Sequence, residues 1–327
     1  VLDRKAMGED LFWAIRGGGG ASFGVVLAYK LKLVQVPEIV TVFNVQRTEA
    51  ENATDILVQW QNVADKIDNG LFIRVLVQPI TSKSGKSKGQ KIIRLTFIAL
   101  YLGDSKSLMS VMNAGFPELG LKKSDCKEGS WIQSMLFWSN FDIGANPELL
   151  LNRTSDVNFL KRKSDYVQTP IPKDALTSIF KKMVQLGKPG LVFNPYGGRM
   201  SEIPANETPF PHRAGIIYKI QYSANWDDAS PNITNQYLEQ ARELYSFTTP
   251  YVSSNPRQAF LNYRDLDIGT TDNGKNSYSE GEVYGRKYFK DNFDRLVKVK
   301  TVVDPENFFK NEQSIPTLPA RSFRKRR

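Results

Sequence analysis

The sequence predicts an α+β fold built on a large antiparallel sheet, and three observations carry that prediction. Strand-like stretches come in pairs, helical stripes fall between the pairs instead of alternating with single strands, and from Ser230 onward the chain turns helical. A chain of 327 residues with 41% hydrophobic and 24% charged residues can bury a core of one or two domains.

The elements follow in order. Val1–Pro37 opens with GEDLFWAIRGGGG, an apolar helix ended by glycine. It continues into ASFGVVLAYKLKLVQVP, where Leu27, Tyr29, Leu31 and Leu33 alternate with Ala28, Lys30 and Lys32 as in a half-buried strand. Gly17–Gly20 permits a tight turn and close backbone approach. The run lacks G-x-G-x-x-G spacing and a P-loop lysine, so it reads as a turn packed on a core, not as a phosphate cradle.

From Glu38 the texture changes. The strand IVTVFNVQ precedes a helix around Asn52–Ile67 with Ile56, Trp60, Val63 and Ile67 on one stripe. Strands Leu71–Ile80 and Lys91–Leu102 flank SKSGKSKGQ, an exposed hairpin loop by its Gly, Ser and Lys content. Asp104 caps a helix carrying Leu108, Val111 and Met112. After SWIQSMLFW and a further strand, Pro170 and Pro172 introduce a helix over Lys173–Leu186, and GLVFNPYGGRM follows. In Arg213–Trp226, period-2 alternation sets Ala214, Ile216, Tyr218, Ile220 and Tyr222 on one face and Lys219 with Gln221 on the other. Ser230-Pro231 starts a helix through Tyr237, Leu238, Ala241, Leu244 and Tyr245, and further helices fall near Glu282–Val297 and Asp304–Phe309.

Composition narrows the chemistry. A net charge of +10 suggests an anionic partner, but the basic residues are scattered and no nucleic-acid-binding signature accompanies them, so nucleic acid is not expected as a partner. The one basic run, Arg321–Arg327, reads as a solvated tail. No run of about 18 apolar residues marks a membrane span. With one cysteine, Cys126, and one histidine, His212, the chain cannot form an internal disulfide or a cysteine-histidine metal cluster, and no metal site is expected. His212 reads as structural and Cys126 as a free, buried thiol. Four N-x-[ST] sequons, at Asn52, Asn152, Asn206 and Asn232, point to glycosylation and the secretory pathway, with an extracellular or cell-wall destination. Since the sequence starts at Val1 with no signal peptide, the expectation is the back portion of a longer, monomeric protein.

Polar chemistry is concentrated in Asn255–Gly269, NPRQAFLNYRDLDIG, where Asn262, Arg264, Asp265 and Asp267 surround Tyr263. Two readings stand. In one, Arg264 pairs with Asp265 or Asp267 in a structural turn and Tyr263 is a satisfied core tyrosine. In the other, Tyr263 removes a proton from a substrate, which needs a partner that lowers its pKa from about 10. Lys219 beside Gln221 on a rigid strand is a candidate wall for such a pocket; the alternative is an ordinary wet sheet face.

Taken together, GEDLFWAIRGGGGASFGVV, FPELG, SDCKEGSW, PYGG, PFPHRAG, FTTPYVS, LNYRDLDIG, RLVKVKTVVDPENFF and NEQSIP resemble the plant berberine bridge enzyme-like family of flavin-linked oxidases over nearly the whole chain. The resemblance implies a fold of the vanillyl-alcohol-oxidase (VAO/PCMH) type. Residues 1–36 would end the FAD-binding domain, 37–228 would form the substrate domain, and 229–327 would return to the FAD-binding domain, with the family's terminal segment at about 258–316. It implies Tyr263 as catalytic base, Phe260 and Asn262 beside the FAD, and Lys219, Gln221, Leu76 and Asn194 in the substrate pocket. Family members tether FAD through a histidine and a cysteine that neither His212 nor Cys126 matches, so the chain by itself is expected to hold no flavin normally and to be inactive.

Alkaloid-cyclising members place glutamate where Gln221 stands, and cannabinoid-forming members place it where Lys219 stands. Lys219 with Gln221 instead resembles the monolignol-oxidising branch, in which an allylic alcohol becomes an aldehyde and dioxygen becomes hydrogen peroxide. A Lys219 ammonium would lower the pKa of Tyr263, where a carboxylate would raise it. The rival expectations are a carbohydrate or alkaloid oxidase of the same family, and a truncated, flavin-free chain.

Overall fold

The computed structural model describes residues 1–83, 85, 87–153, 158–271 and 277–319. In chain order its elements are α1 (Arg4–Ala14), β1 (Val40–Thr48), α2 (Ala53–Val63), β2 (Leu71–Thr81), β3 (Lys91–Tyr101), α3 (Ser105–Gly115), β4 (Cys126–Gly129) and α4 (Trp131–Trp138). There follow β5 (Phe159–Val167), α5 (Lys173–Leu186), β6 (Gly190–Pro195), α6 (Arg199–Glu202), β7 (Tyr218–Trp226), α7 (Pro231–Phe247), α8 (Tyr278–Phe289) and α9 (Asn292–Val303). They fall into two compact units, Lys32–Met200 with Gly215–Ser253, and Val1–Leu31 with Ser201–Ala214 and Ser254–Arg327.

The first of these holds a seven-stranded sheet in the order β4-β1-β3-β2-β6-β7-β5. Every neighbouring pair is antiparallel. Alternation sorts the side chains: Val75 and Val77, Leu95 and Phe97, Leu191 and Phe193, and Tyr218, Ile220 and Tyr222 are buried in one core. Trp60 of α2, Leu108 and Met112 of α3, and Ile179 and Met183 of α5 close that core. Local chemistry starts these helices where the sequence places them. Asp104 accepts from Ser107 N at 2.8 Å, satisfying one of the free donors at the start of α3. The hairpin between β2 and β3 is closed by Ser82 N to Gln90 O at 2.9 Å; Ser84 and Lys86 of that loop lie outside the described residues.

Helix α7 belongs to the sheet unit, which runs to Ser253. The reason is packing. Ala241 of α7 lies against Ala224 and Trp226 of β7, and Leu244 joins the main core. Conversely Ser201–Ala214 leaves the sheet for the other unit. The predicted strand over Arg213–Trp226 begins at Tyr218, since Gly215 sits at φ +83 and turns the chain.

In the second unit, Trp13, Phe23, Tyr284, Tyr288, Phe293, Leu296 and Ile315 form the core. Helices α8 and α9 approach closely at Gly285, where a Cβ would stand 2.2 Å from Cε2 of Phe293. The single helix expected over Glu282–Val297 is broken instead at Lys290, at φ +49, and restarts at Asn292. No helix forms at Asp304–Phe309. The Asp304 carboxylate accepts from Phe308 N and Phe309 N at 2.9 Å each and from the buried Lys300 Nζ at 2.6 Å, a folded-back arrangement that satisfies donors without a helix.

Two further expectations are corrected. The alternating stretch after Gly24 forms no strand and its apolar side chains are exposed, Leu27 at 72% and Leu33 at 88%: a strand needs a neighbour to bond with, and none of the described residues provides one. Cys126 is a free thiol but only half-buried, with its pKa raised by that burial and by Asp125 and Glu128. The tail Arg321–Arg327 lies outside the described residues. Among the described residues no helix is long and apolar enough to cross a membrane, and no three His, Cys, Asp or Glu side chains group as metal ligands.

Candidate functional site

The Tyr263 stretch is a loop whose two ends are pinned to α8. At one end Ala259 N donates to Lys287 O at 3.0 Å, and His212 lies between Gln258 Oε1 at 2.9 Å and Tyr288 O at 3.0 Å. These contacts occupy carbonyls of the last turn of α8 that have no partner within the helix. Burial pulls the fully buried His212 down to about 3, so its ring is neutral. A neutral ring carries one N–H, so it donates to only one of these two oxygens.

At the other end Asp265 N donates to Tyr288 Oη at 3.2 Å, and Tyr288 Oη donates to Gln313 Oε1 at 3.1 Å. Gln313 Nε2 in turn donates to Asp265 O at 2.8 Å and Gly269 O at 2.7 Å. Arg264 pairs with neither aspartate; it donates to Asn311 Oδ1 at 3.1 Å, while Asp265 Oδ1 accepts from Asp267 N. Between the two anchors Phe260–Arg264 is held out. Tyr263 is half-buried, its ring edge-on to Phe260 at 5.0 Å, and Phe260 is edge-on to Phe210 at 6.0 Å.

Leu261 and Asn262 border a recess of about 210 Å³ whose other wall is the Gly17–Gly20 turn with Phe23, Val26 and Tyr29. Gly19, at φ +91, lies so near Leu261 that a Cβ would meet its Cδ2 at 2.8 Å, whereas Gly20 has open space before it. The recess is smaller than the roughly 300–1,000 Å³ of complete ligand pockets. Its glycine backbone, apolar walls and the exposed Asn262 amide fit the edge of a planar ring system, with the remainder of such a ligand held elsewhere.

The second cluster lies on the sheet, on the face opposite the core. Lys219 is directly opposite Asn194 on β6 and Tyr166 on β5. Gln221 is opposite Val192, and Val192 is opposite Leu76, which in turn faces Thr96 on β3. The register thus brings Leu76, Asn194, Lys219 and Gln221 onto one face, as alternation requires. Lys219 is 6% exposed, and burial pulls its ammonium down to about 7.

Among the polar atoms of this face, Asn194 Nδ2 and Thr96 Oγ1 are buried without a hydrogen-bond partner among the described residues. Buried polar atoms are rarely left so, and an absent ligand or water is the ordinary cause. Thr96 and Tyr166 were not expected from the sequence; the signal available was their parity with Leu76 and Lys219 once strand pairing is known. Arg74 of β2, on the Leu76 face, carries its guanidinium 4.6 Å from the Trp138 ring centroid of α4. The sheet face and the Tyr263 loop belong to different units.

Known proteins resemble nearly the whole chain. Residues 259–316, which include Tyr263 and the buried Ile315, match the family model described as berberine and berberine like. "Berberine bridge enzyme-like 8" of Arabidopsis thaliana is 58% identical over 321 residues, which cover 98% of this chain and 60% of that protein. Among solved structures, "BBE-like #28 from Arabidopsis thaliana" superposes with a TM-score of 0.89 at 45% identity, over 97% of this chain and 64% of that one. "Phl p 4, a grass pollen allergen with glucose dehydrogenase activity" gives a TM-score of 0.89 at 43% identity, over 97% and 63%. The chain spans about 60% of the length of the curated relatives it matches. It belongs to the berberine bridge enzyme-like family.

Proposed function

We propose that the protein acts as an FAD-linked oxidase that converts an alcohol of the monolignol type to the aldehyde, with Tyr263 as proton acceptor and Lys219, Gln221, Asn194 and Leu76 contacting the substrate. The observation that carries this reading is the sheet face itself: a buried lysine set near neutrality beside an amide donor with no partner, where a hydroxyl-bearing substrate would find both. When bound, FAD supplies the hydride acceptor and, on reoxidation by dioxygen, the peroxide. Phe260, Asn262 and the Gly17–Gly20 turn are the residues of this chain that would border it.

The chain's own part is protonic and positional. Alcohol oxidation removes one hydride from carbon and one proton from oxygen. The clamp on α8 holds Tyr263 in one place to receive that proton. A lysine at about 7 is charged in only about half the molecules at neutral pH.

A second reading, a carbohydrate oxidase or dehydrogenase, is favoured by the glucose dehydrogenase activity stated for Phl p 4. Peroxide release from coniferyl alcohol but not from cello-oligosaccharides supports the first reading, and the reverse supports the second. We also propose a glycosylated, secreted protein, because Asn52, Asn152, Asn206 and Asn232 are all exposed. Loss of the mass of a glycan on enzymatic deglycosylation, mapped to Asn52 or Asn152, is the expected result; unmodified asparagines at all four positions would contradict it.

A further inference from the structure

One wall of the recess beside Leu261 and Asn262 is backbone, and residues 18–24, which supply most of it, lie in neither a helix nor a strand. Helix α9 fixes that wall. Leu296 and Lys300 stand one helical turn apart and so share a face of α9. Gly18 lies against the first, where a Cβ would stand 2.7 Å from Leu296 Cδ2. Ser22 is bound by the second: its carbonyl accepts from Lys300 Nζ at 2.7 Å. Between these two contacts Gly19, Gly20 and Ala21 border the recess.

Lys300 is fully buried. An ammonium withdrawn from water needs each of its three N–H groups met. Ser22 O at 2.7 Å, Phe309 O at 2.7 Å and Asp304 Oδ2 at 2.6 Å meet them. Three acceptors from three parts of the chain leave the ammonium one position, and Ser22 with it. A second bond closes the arrangement, since Ser22 Oγ accepts from Ile315 N at 3.2 Å.

The backbone beside this anchor is strained. Ala21 sits at φ +61, where a side chain crowds its own backbone, and a residue stays there only when its flanks are fixed. Stability alone gives no reason for a lysine at this point, because well-packed apolar side chains often replace a buried ion pair without loss. An apolar side chain at position 300 would fill the same space beside Leu296 but could not donate to Ser22 O.

We infer that Lys300 is a positioning residue for the cofactor: through Ser22 it sets the place of the Gly19–Ala21 backbone that borders the flavin. This rests on the reading of the recess as the flavin's border. Lys300 does not line the recess, so it acts only through the turn.

The test uses the full-length, flavin-loaded protein without substrate, so it does not depend on which alcohol is oxidised. The main variant is Lys300→Met/Asp304→Asn, which removes the ion pair without leaving a buried carboxylate alone. Ser22→Ala, which removes only the bond from Ile315 N, is a second and milder variant. Arg286→Met is the control: Arg286 ties α8 to α9 through Asp294 at 2.7 Å and bonds to no residue of the turn.

The readouts are the visible circular dichroism of the flavin, measured per bound flavin, and amide hydrogen exchange over residues 17–24. A flavin held against an asymmetric wall gives a strong visible band, and a loosely held one gives a weak band. The expected result is loss of the band with faster exchange in the double variant, a smaller change in the same direction in Ser22→Ala, and parent-like values in Arg286→Met. Far-ultraviolet circular dichroism establishes that each variant is folded. The inference is overturned if the folded double variant keeps the parent's band, or if Arg286→Met loses as much of it. Where the double variant does not fold, Ser22→Ala decides in the same way. A full-length parent with no flavin absorbance would instead overturn the reading of the recess, and this inference with it, before any variant is compared.

Discussion

Lys219 is the residue whose environment departs furthest from what its neighbours in sequence suggest. Alternation places it on the polar face, yet the folded chain buries it to 6% exposure and lowers its pKa from 10.5 to about 7. Between those two values the unfolded chain keeps a proton the folded chain has released, so this residue favours folding progressively as pH rises from about 7 toward 10.5. In catalysis the proposed role runs the other way, since the ammonium is needed. Lys219→Met is expected to slow substrate oxidation at pH 7 by about tenfold or more, and an unchanged rate would remove Lys219 from the substrate face. His212 titrates in the opposite sense to a stabilising cation. Its pKa is depressed from 6.5 to about 3, so its contribution is complete above about 6.5 and drains away as pH falls toward about 3. Chemical denaturation across that window should show a shallower pH slope in His212→Asn than in the parent chain. Equal slopes would mean that the ring is not held neutral.

Among the elements, those with strong local signals were legible. Strands β2 and β3, helices α3 and α5 and the core stripe Ile56 and Trp60 of α2 lie within a residue or two of where pattern and capping put them. Asp104 illustrates why: its carboxylate already meets the donor it must satisfy at 2.8 Å, so Asp104→Ala should cost about 1 kcal/mol, measured as a shift of the denaturation midpoint. No change would show that α3 starts without its cap. What was not legible depended on partners far away in sequence. The break at Lys290 is tied to His212 and Ala259, which take up the carbonyls of Tyr288 and Lys287, and neither bond is visible in the local pattern. The stretch from Leu27 to Leu33 has the alternation of a strand but no neighbour among the described residues, and alternation alone does not make one.

At the scale of the whole molecule, the sequence supplied the chemistry of the candidate site more completely than its geometry. Polar groups crowding an apolar stretch marked Tyr263 and Asn262 as candidates, strict strand parity set Lys219 and Gln221 on one face, and Phe260 entered through the family resemblance. The clamp of Tyr288 and Gln313 on the Tyr263 loop, and the buried unpartnered Asn194 and Thr96 atoms, required the fold. Family membership explains why nine separated strings agree, while the activity remains a matter of what Tyr263 does in the full-length, flavin-loaded protein. The most direct measurement is the rate of flavin reduction by substrate in Tyr263→Phe, followed in a single turnover. The proposal predicts a loss of about 10²-fold or more with flavin content unchanged; reduction at the parent rate would show that another group takes the proton.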